Sequence, residues 1–381
     1  MKAFKSAKVY VEGKGLITTD VCFGHYITSI GNIDEKAGVI ELPDDAVVIP
    51  GFIDQHIHGA GGCDTMDGTV EALAAIADTV AKEGTTTFLA TTMTQSPENI
   101  TKALTAVRDY IASDRSEGAR LWGVHLEGPF IIPSHKGAQP DDYIAAPDAY
   151  VFSMYNEASG QNIRIVTVAP EMEGADELIK YLDSIGIIPS IGHAKATSDD
   201  VRRAIKNGAR HITHTYNAQS ALHHREIGVV GSALLYDDLK TEVICDTVHV
   251  SVPALQLLTK CKPVDKIIFI TDAMRAKGLG DGMSELGGQT VIVKNGEAHL
   301  EDGTLAGSVL SMNRAIQNMV EKVGVPFITA VDCATANPAK ALGIYESVGS
   351  IRVDKLADFT VLNSAYDVIM TVREGEIIYR Q

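Results

Sequence analysis

The stretch Val47-Val48-Ile49-Pro50-Gly51-Phe52-Ile53-Asp54-Gln55-His56-Ile57-His58 is β-like and ends in two histidines two residues apart. Downstream, Val70, Leu73, Ala74, Ile76, Ala77, Val80 and Ala81 recur at helix spacing. This β-then-helix alternation recurs along the chain. Further β-like runs are Thr85–Thr91, Leu121–Glu127, Ile163–Ala169, Ile187–His193, His211–Thr215, Glu242–His249 and Lys266–Asp272. Several are nearly all apolar, as strands covered on both faces must be. Helical runs separate most of them. Ala175–Ile185 puts Leu178, Ile179 and Leu182 on one face, and Ser198–Lys206 follows a Thr-Ser cap signal.

Eight such units predict an α/β fold, a (β/α)8 TIM-type barrel. A doubly wound sheet is the alternative, but no Gly-x-Gly-x-x-Gly turn opens any unit. The ends differ. Val9–Val11 and Tyr26–Ile30 suggest short strands, and the C-terminal segment from Gly349 is β-rich, with Glu374-Gly375 at a hairpin turn. Residues 1–49 with 349–381 are expected to pack as a small β-sandwich domain, and residues 50–348 as the barrel. The long connection after Asp272 contains a hairpin signal, Asn295-Gly296 between Thr290–Lys294 and Glu297–Leu300. A long connection at the catalytic end of a barrel suits a lid or binding loop.

The 381 residues carry 33 basic and 49 acidic side chains, a formal charge of −16. That balance argues against nucleic-acid or acidic-membrane partners, which select a basic face. No apolar stretch reaches the roughly 18 residues of a membrane span, and the N-terminus has no signal-peptide core. The five cysteines, Cys22, Cys63, Cys245, Cys261 and Cys333, are scattered without a Cys-x-x-Cys. Reduced thiols in a cytoplasmic protein are the expectation.

A barrel places its active site at the C-terminal ends of its strands. There the runs deliver His56 and His58, Glu127, His193, His214, Asp246 with His249, and Asp272. Two residues apart on a strand, His56 and His58 project to the same side. Any one of these residues alone suits a structural hydrogen bond. Burying all of them together costs several kcal/mol unless they are paired or bound to a cation. Nitrogen and oxygen donors without thiolate suit Zn²⁺ or Fe²⁺. Such a site suggests hydrolysis, with Asp272 as general base or as a further ligand. His25, His125, His135, His211 and His299 read as surface or packing residues.

These residues resemble the amidohydrolase superfamily and, more narrowly, its N-acetylglucosamine-6-phosphate deacetylase family. The resemblance spans essentially the whole chain. Its motifs are Pro50–Gly59, His125-Leu126-Glu127-Gly128-Pro129-Phe130, Val168–Glu171, Gly192-His193-Ala194, Thr213–Ala218, His223-His224-Arg225-Glu226, Thr271-Asp272-Ala273 and Leu305-Ala306-Gly307-Ser308. It implies metal-dependent hydrolysis of N-acetyl-D-glucosamine 6-phosphate to D-glucosamine 6-phosphate and acetate, in amino-sugar catabolism or cell-wall recycling.

By resemblance, Glu127, His193 and His214 hold one divalent metal, and His56 and His58 a second, with Glu127 bridging. Zn²⁺, Fe²⁺, Mn²⁺ and Co²⁺ all fit such ligands. Asp272 becomes the catalytic acid/base. Substrate contacts map to Ala138, Gln139, Asn217, Ala218, His224, Arg225, Asp246, His249, Leu305, Ala306, Gly307 and Ser308. Arg225 beside His223 and His224 supplies a forked cationic donor for a phosphomonoester, or else makes surface or subunit contacts. A homodimer is implied. Some relatives carry His at position 139, and Leu and Met are common at 215 and 219, where this chain has Gln139, Thr215 and Gln219. The alternatives are another amidohydrolase, such as a cyclic amidase or a deacetylase of a different N-acetyl sugar or amino acid, and a non-catalytic scaffold of the same fold.

Overall fold

The computed structural model of the chain describes residues 1–34 and 36–381. The barrel strands are β1 (Phe52–Ile57), β2 (Thr85–Thr91), β3 (Arg120–Leu126), β4 (Ile163–Val168), β5 (Ile188–Ile191), β6 (His211–Ile212), β7 (Lys240–Ile244) and β8 (Ile267–Ile270). They lie side by side in chain order, every pair parallel. Strand ends close the ring. Asp272 N donates to the His56 carbonyl at 2.8 Å and His58 N to the Ala273 carbonyl at 2.9 Å. The seam of the barrel therefore sets Asp272 directly against His56.

Helix Val70–Ala81 shows how the outer layer is specified. Thr69 accepts from Ala72 N as its cap, and Leu73, Ile76, Ala77 and Val80 are buried against the strands. Truncating Leu73 to Ala should cost about 2–5 kcal/mol. Helix Ser198–Asn207 starts with a capping box between Thr197 and Asp200.

The run Val47–His58 is two strands rather than one. Val47–Pro50 pairs antiparallel with Phe359–Leu362 and parallel with Lys2–Val11, so it belongs to the sheet built from the chain ends. Gly51 carries the chain into β1. A Cβ there would lie 2.2 Å from Thr86 Oγ1, so only glycine permits the crossing. Both strands are buried, so apolarity alone does not reveal the change of partners.

The chain ends meet in one eight-stranded hydrogen-bonded sheet. Its first strand, Lys2–Val11, is longer than the short run expected and is irregular between Phe4 and Ala7, where Ser6 has φ +49°. Phe4, Phe23 and Phe359 pack together with ring centroids 5.0–5.5 Å apart. Glu374 and Gly375 both have positive φ, +52° and +80°, and make the tight turn between Val368–Arg373 and Glu376–Arg380. Arg120 at the start of β3 bonds Asp358 and Glu374 at 2.9 and 2.7 Å, fastening the barrel to this sheet.

After β8 comes a three-stranded meander, Gly282–Leu286, Gln289–Lys294 and Glu297–Leu300, turning at Asn295-Gly296 as expected. Its inner face, Leu286, Val291, Val293 and Ala298, packs on Met93, Met274 and Ala306. Gln289 Nε2 donates to the Ala138 carbonyl at 2.7 Å, which ties the meander to the rim. Among the described residues, no helix is long and apolar enough to cross a membrane.

Candidate active site

Three site residues sit just beyond their strands with left-handed backbone: His193 at φ +47°, His214 at +29° and Asp272 at +48°. Such conformations cost about 1–3 kcal/mol each and persist only where the surroundings impose them. Here they turn each side chain onto the barrel rim. Glu127 follows β3, His56 lies in the last pleat of β1 and His58 just beyond it.

The six side chains converge. Glu127 Oε1 lies 2.9 Å from His214 Nε2, 3.3 Å from His193 Nε2 and 3.4 Å from His56 Nε2. Glu127 Oε2 lies 3.2 Å from His58 Nε2. Asp272 Oδ1 is 3.2 Å from His58 Nε2 and 3.4 Å from His56 Nε2. His193 Nε2 and His214 Nε2 face each other at 3.0 Å. All six are buried. The His135 carbonyl accepts from His193 Nδ1 at 2.8 Å, which leaves Nε2 as the lone pair facing inward.

A cavity of about 220 Å³ opens above the cluster, walled by His58, Glu127, His193, His214 and Asp272. Ala138, Gln139, Asn217, Ala218 and His249 line it, and so do Leu305 and Gly307. Asp246 stands behind His249 and accepts from its Nδ1 at 2.6 Å. Ala306 and Ser308 are buried beneath the wall, the Ser308 hydroxyl donating to the Thr271 carbonyl at 2.6 Å. His224 and Arg225 are exposed outside the cavity and contact each other at 2.8 Å. Gln219 accepts from Tyr216 N and donates to the Thr213 carbonyl, bracing the loop that carries Asn217 and Ala218. Thr215 is buried, its N–H bonded to the Glu242 carbonyl.

Sequence reasoning missed part of this. Met93, which follows β2, Leu286 of the meander and Thr304 just after it also line the cavity. Glu242 is fully buried in β7 and lies 3.0 Å from His56 Nδ1. A carboxylate amid Val243, Ile244 and Cys245 was the available signal, since an unpaired charge is not stable there. His125 and His211 are the packing residues expected. Burial, aided for His125 by neighbouring His56, holds both imidazoles down to about 3, so they are neutral.

Residues 47–378 match the amidohydrolase family. The chain belongs to the amidohydrolase family. It is 45% identical over 342 residues to the N-acetylglucosamine-6-phosphate deacetylase of Bacillus subtilis, covering 89% of this chain and 86% of that protein. The crystal structure of N-acetylglucosamine-6-phosphate deacetylase from Pasteurella multocida superposes with a TM-score of 0.93 at 31% identity, covering 99% of each chain. A Mycobacterium smegmatis N-acetyl-D-glucosamine-6-phosphate deacetylase mutant, in complex with N-acetyl-D-glucosamine-6-phosphate, superposes at 0.90 and 28% identity, again over 99% of each chain.

Amidohydrolases are metal-dependent, and the donor set fits a metal. His56 Nε2 is buried without a hydrogen-bond partner. Glu127, His193 and His214 form one group of converging donor atoms, and His56, His58 and Asp272 a second. In a third, His56, His125 and Glu242, the His56 Nδ1 atom is engaged by Glu242 at 3.0 Å and His125 Nε2 by Thr167 Oγ1 at 2.8 Å. The ionisable side chains of this centre act strongly on one another. Burial opposes protonation of His58, but Asp272 and Glu127 outweigh it and lift its pKa to about 10. Burial pushes Asp272 up, and His56 and His58 outweigh it, taking it down to about 2. The positive charge that Glu127 and Asp272 draw onto these histidines is the charge an ion would supply in their place, since an imidazole must lose its proton to ligate.

Proposed function

We propose that the chain is a metal-dependent hydrolase that converts N-acetyl-D-glucosamine 6-phosphate to D-glucosamine 6-phosphate and acetate. The observation that carries this reading is Asp272 Oδ1, within 3.2 Å of His58 Nε2 and facing the same cavity as the Glu127, His193 and His214 donors. Glu127, His193 and His214 would hold one divalent ion, and His56 and His58 a second, with Glu127 between them. When bound, such ions acidify a water and polarise the acetamide carbonyl.

Asp272 manages the proton. It accepts one from the water whose oxygen adds to the acetyl carbon, and it delivers that proton to the nitrogen as the C–N bond breaks. The oxygen leaves in acetate and the proton in the amine. His249, held by Asp246, presents its imidazole to the sugar end of the cavity. Arg225 and His224, on the exposed loop outside the cavity, would supply donors to a phosphate that reaches out of it. Leu222 beside them is half-exposed, which supports a homodimer in which a second copy covers this loop. The five free thiols suit a reducing, cytoplasmic setting.

The test is acetate release from N-acetylglucosamine 6-phosphate, from the same sugar without phosphate, and from a cyclic amide. Preference for the phosphorylated sugar supports the reading. Equal turnover of the free sugar, or turnover of the cyclic amide alone, overturns it in favour of another amidohydrolase.

A further inference from the structure

We propose that Glu242 is a positioning residue that fixes His56 for its ion, so that the His56/His58 half of the centre depends on it and the Glu127/His193/His214 half does not. The proposal rests on the two-ion reading above. Glu242 lies within β7 with no exposed surface, and both its oxygens are engaged. Oε2 stands 3.0 Å from His56 Nδ1 and accepts a longer bond from the main-chain N of His214 at 3.4 Å, and Oε1 accepts from Gln55 Nε2 at 2.6 Å. Its main-chain carbonyl accepts from Thr215 N at 2.8 Å, which anchors the residue beside the loop that carries His214.

An ionised carboxylate is acceptor-only. Facing Nδ1, it requires the ring proton there and leaves the Nε2 lone pair turned toward Glu127 and Asp272. Outer partners of this kind fix tautomer and ring orientation in metal sites. The four imidazoles are not served alike. His193 is held by a backbone carbonyl, and the Nδ1 atoms of His58 and His214 have no partner. Among these four, only His56 has its ring oriented by a charged side chain. Glu242 meets the His214 segment through main-chain N–H groups, and an amide at 242 keeps an acceptor and the main-chain carbonyl for them, so its loss of charge acts on the His56 ring.

The isosteric change is informative for the same reason. A glutamine at 242 offers one acceptor oxygen to the two side-chain donors, His56 Nδ1–H and Gln55 Nε2, and to the more distant His214 N. If its carbonyl turns to Gln55, its amide faces His56 Nδ1. That geometry favours the other tautomer, whose Nε2–H points where the ion would bind.

The experiment loads the full-length wild type, E242Q and E242D with Zn²⁺ alone. It measures ions per chain and each affinity by chelator competition, with thermal midpoints of the chelated proteins as the folding control. Removing an outer-sphere partner of a metal ligand typically lowers affinity about 10–100-fold. The expected result is that loss for one ion in E242Q, wild-type affinity for the other, and an intermediate value in E242D, which keeps the charge but is shorter. In a His56→Asn background, E242Q should cause no further loss. A merely structural role would lower both affinities and the thermal midpoint together, and that outcome overturns the assignment. A two-ion wild type whose E242Q variant keeps both affinities also overturns it, leaving the two-ion reading intact. A wild type that never takes up more than one ion overturns the two-ion reading and the assignment with it.

Discussion

Gln139 holds Glu127 in place: its Nε2 donates to Glu127 Oε2 at 2.8 Å, while its own carbonyl accepts from Thr94 N at 2.6 Å. Glu127 is the one carboxylate that faces both histidine pairs, so its orientation sets the geometry of the whole centre. The residue that departs from the histidine of some relatives thus has a defined partner here.

Replacing Gln139 with Leu removes a donor from Glu127 and leaves Thr94 N without its acceptor. Metal affinity should fall about 10–100-fold, the usual effect of losing an outer-sphere partner. Chelator competition reads this directly. Unchanged affinity would mean that Glu127 is held well enough by the histidines alone.

Replacing both His56 and His58 with Gln should leave one ion per chain, bound by Glu127, His193 and His214. Elemental analysis of protein isolated without chelator and supplied with metal gives the count. If the unmodified chain never exceeds one ion under those conditions, the second site does not exist.

Asp272→Asn keeps the side chain's shape but cannot exchange a proton at neutral pH. The amide nitrogen is a poor leaving group, and proton delivery to it typically contributes about 10²–10⁴-fold. kcat should fall by at least the low end of that range, with KM moving less and metal content nearly unchanged. Loss of metal along with activity would make Asp272 primarily a ligand, and wild-type kcat would remove it from the mechanism.

Arg225→Ala should raise KM for the phosphorylated sugar by roughly ten- to a hundredfold, the equivalent of about 1.5–3 kcal/mol for a charge-assisted bond. The unphosphorylated sugar should be affected far less. Equal effects on both would assign Arg225 to the loop surface.

Much of this molecule is legible in its sequence because barrel strands are short, apolar and polar-tipped. The tips of β1, β3, β5 and the segment after β8 could be placed on one rim from chain order alone. Three features were not legible, each for a tertiary reason. The break at Pro50-Gly51 is invisible because both flanking strands are buried and differ only in their partners. Glu242 meets His56 across the barrel from 186 residues away, so no local pattern joins them. Leu286 walls the cavity only because the meander folds back over the rim and packs on Met93, a packing choice that its Asn295-Gly296 turn does not specify.

The most direct test of metal-dependent deacetylation is one assay on one sample: acetate and glucosamine 6-phosphate released from N-acetylglucosamine 6-phosphate, with bound metal quantified before and after chelation and again after metal is restored. The account predicts equimolar products, loss of turnover as metal is removed, and recovery when it returns. Undiminished acetate release from protein shown to hold no metal, or no release from the fully loaded chain, would contradict it.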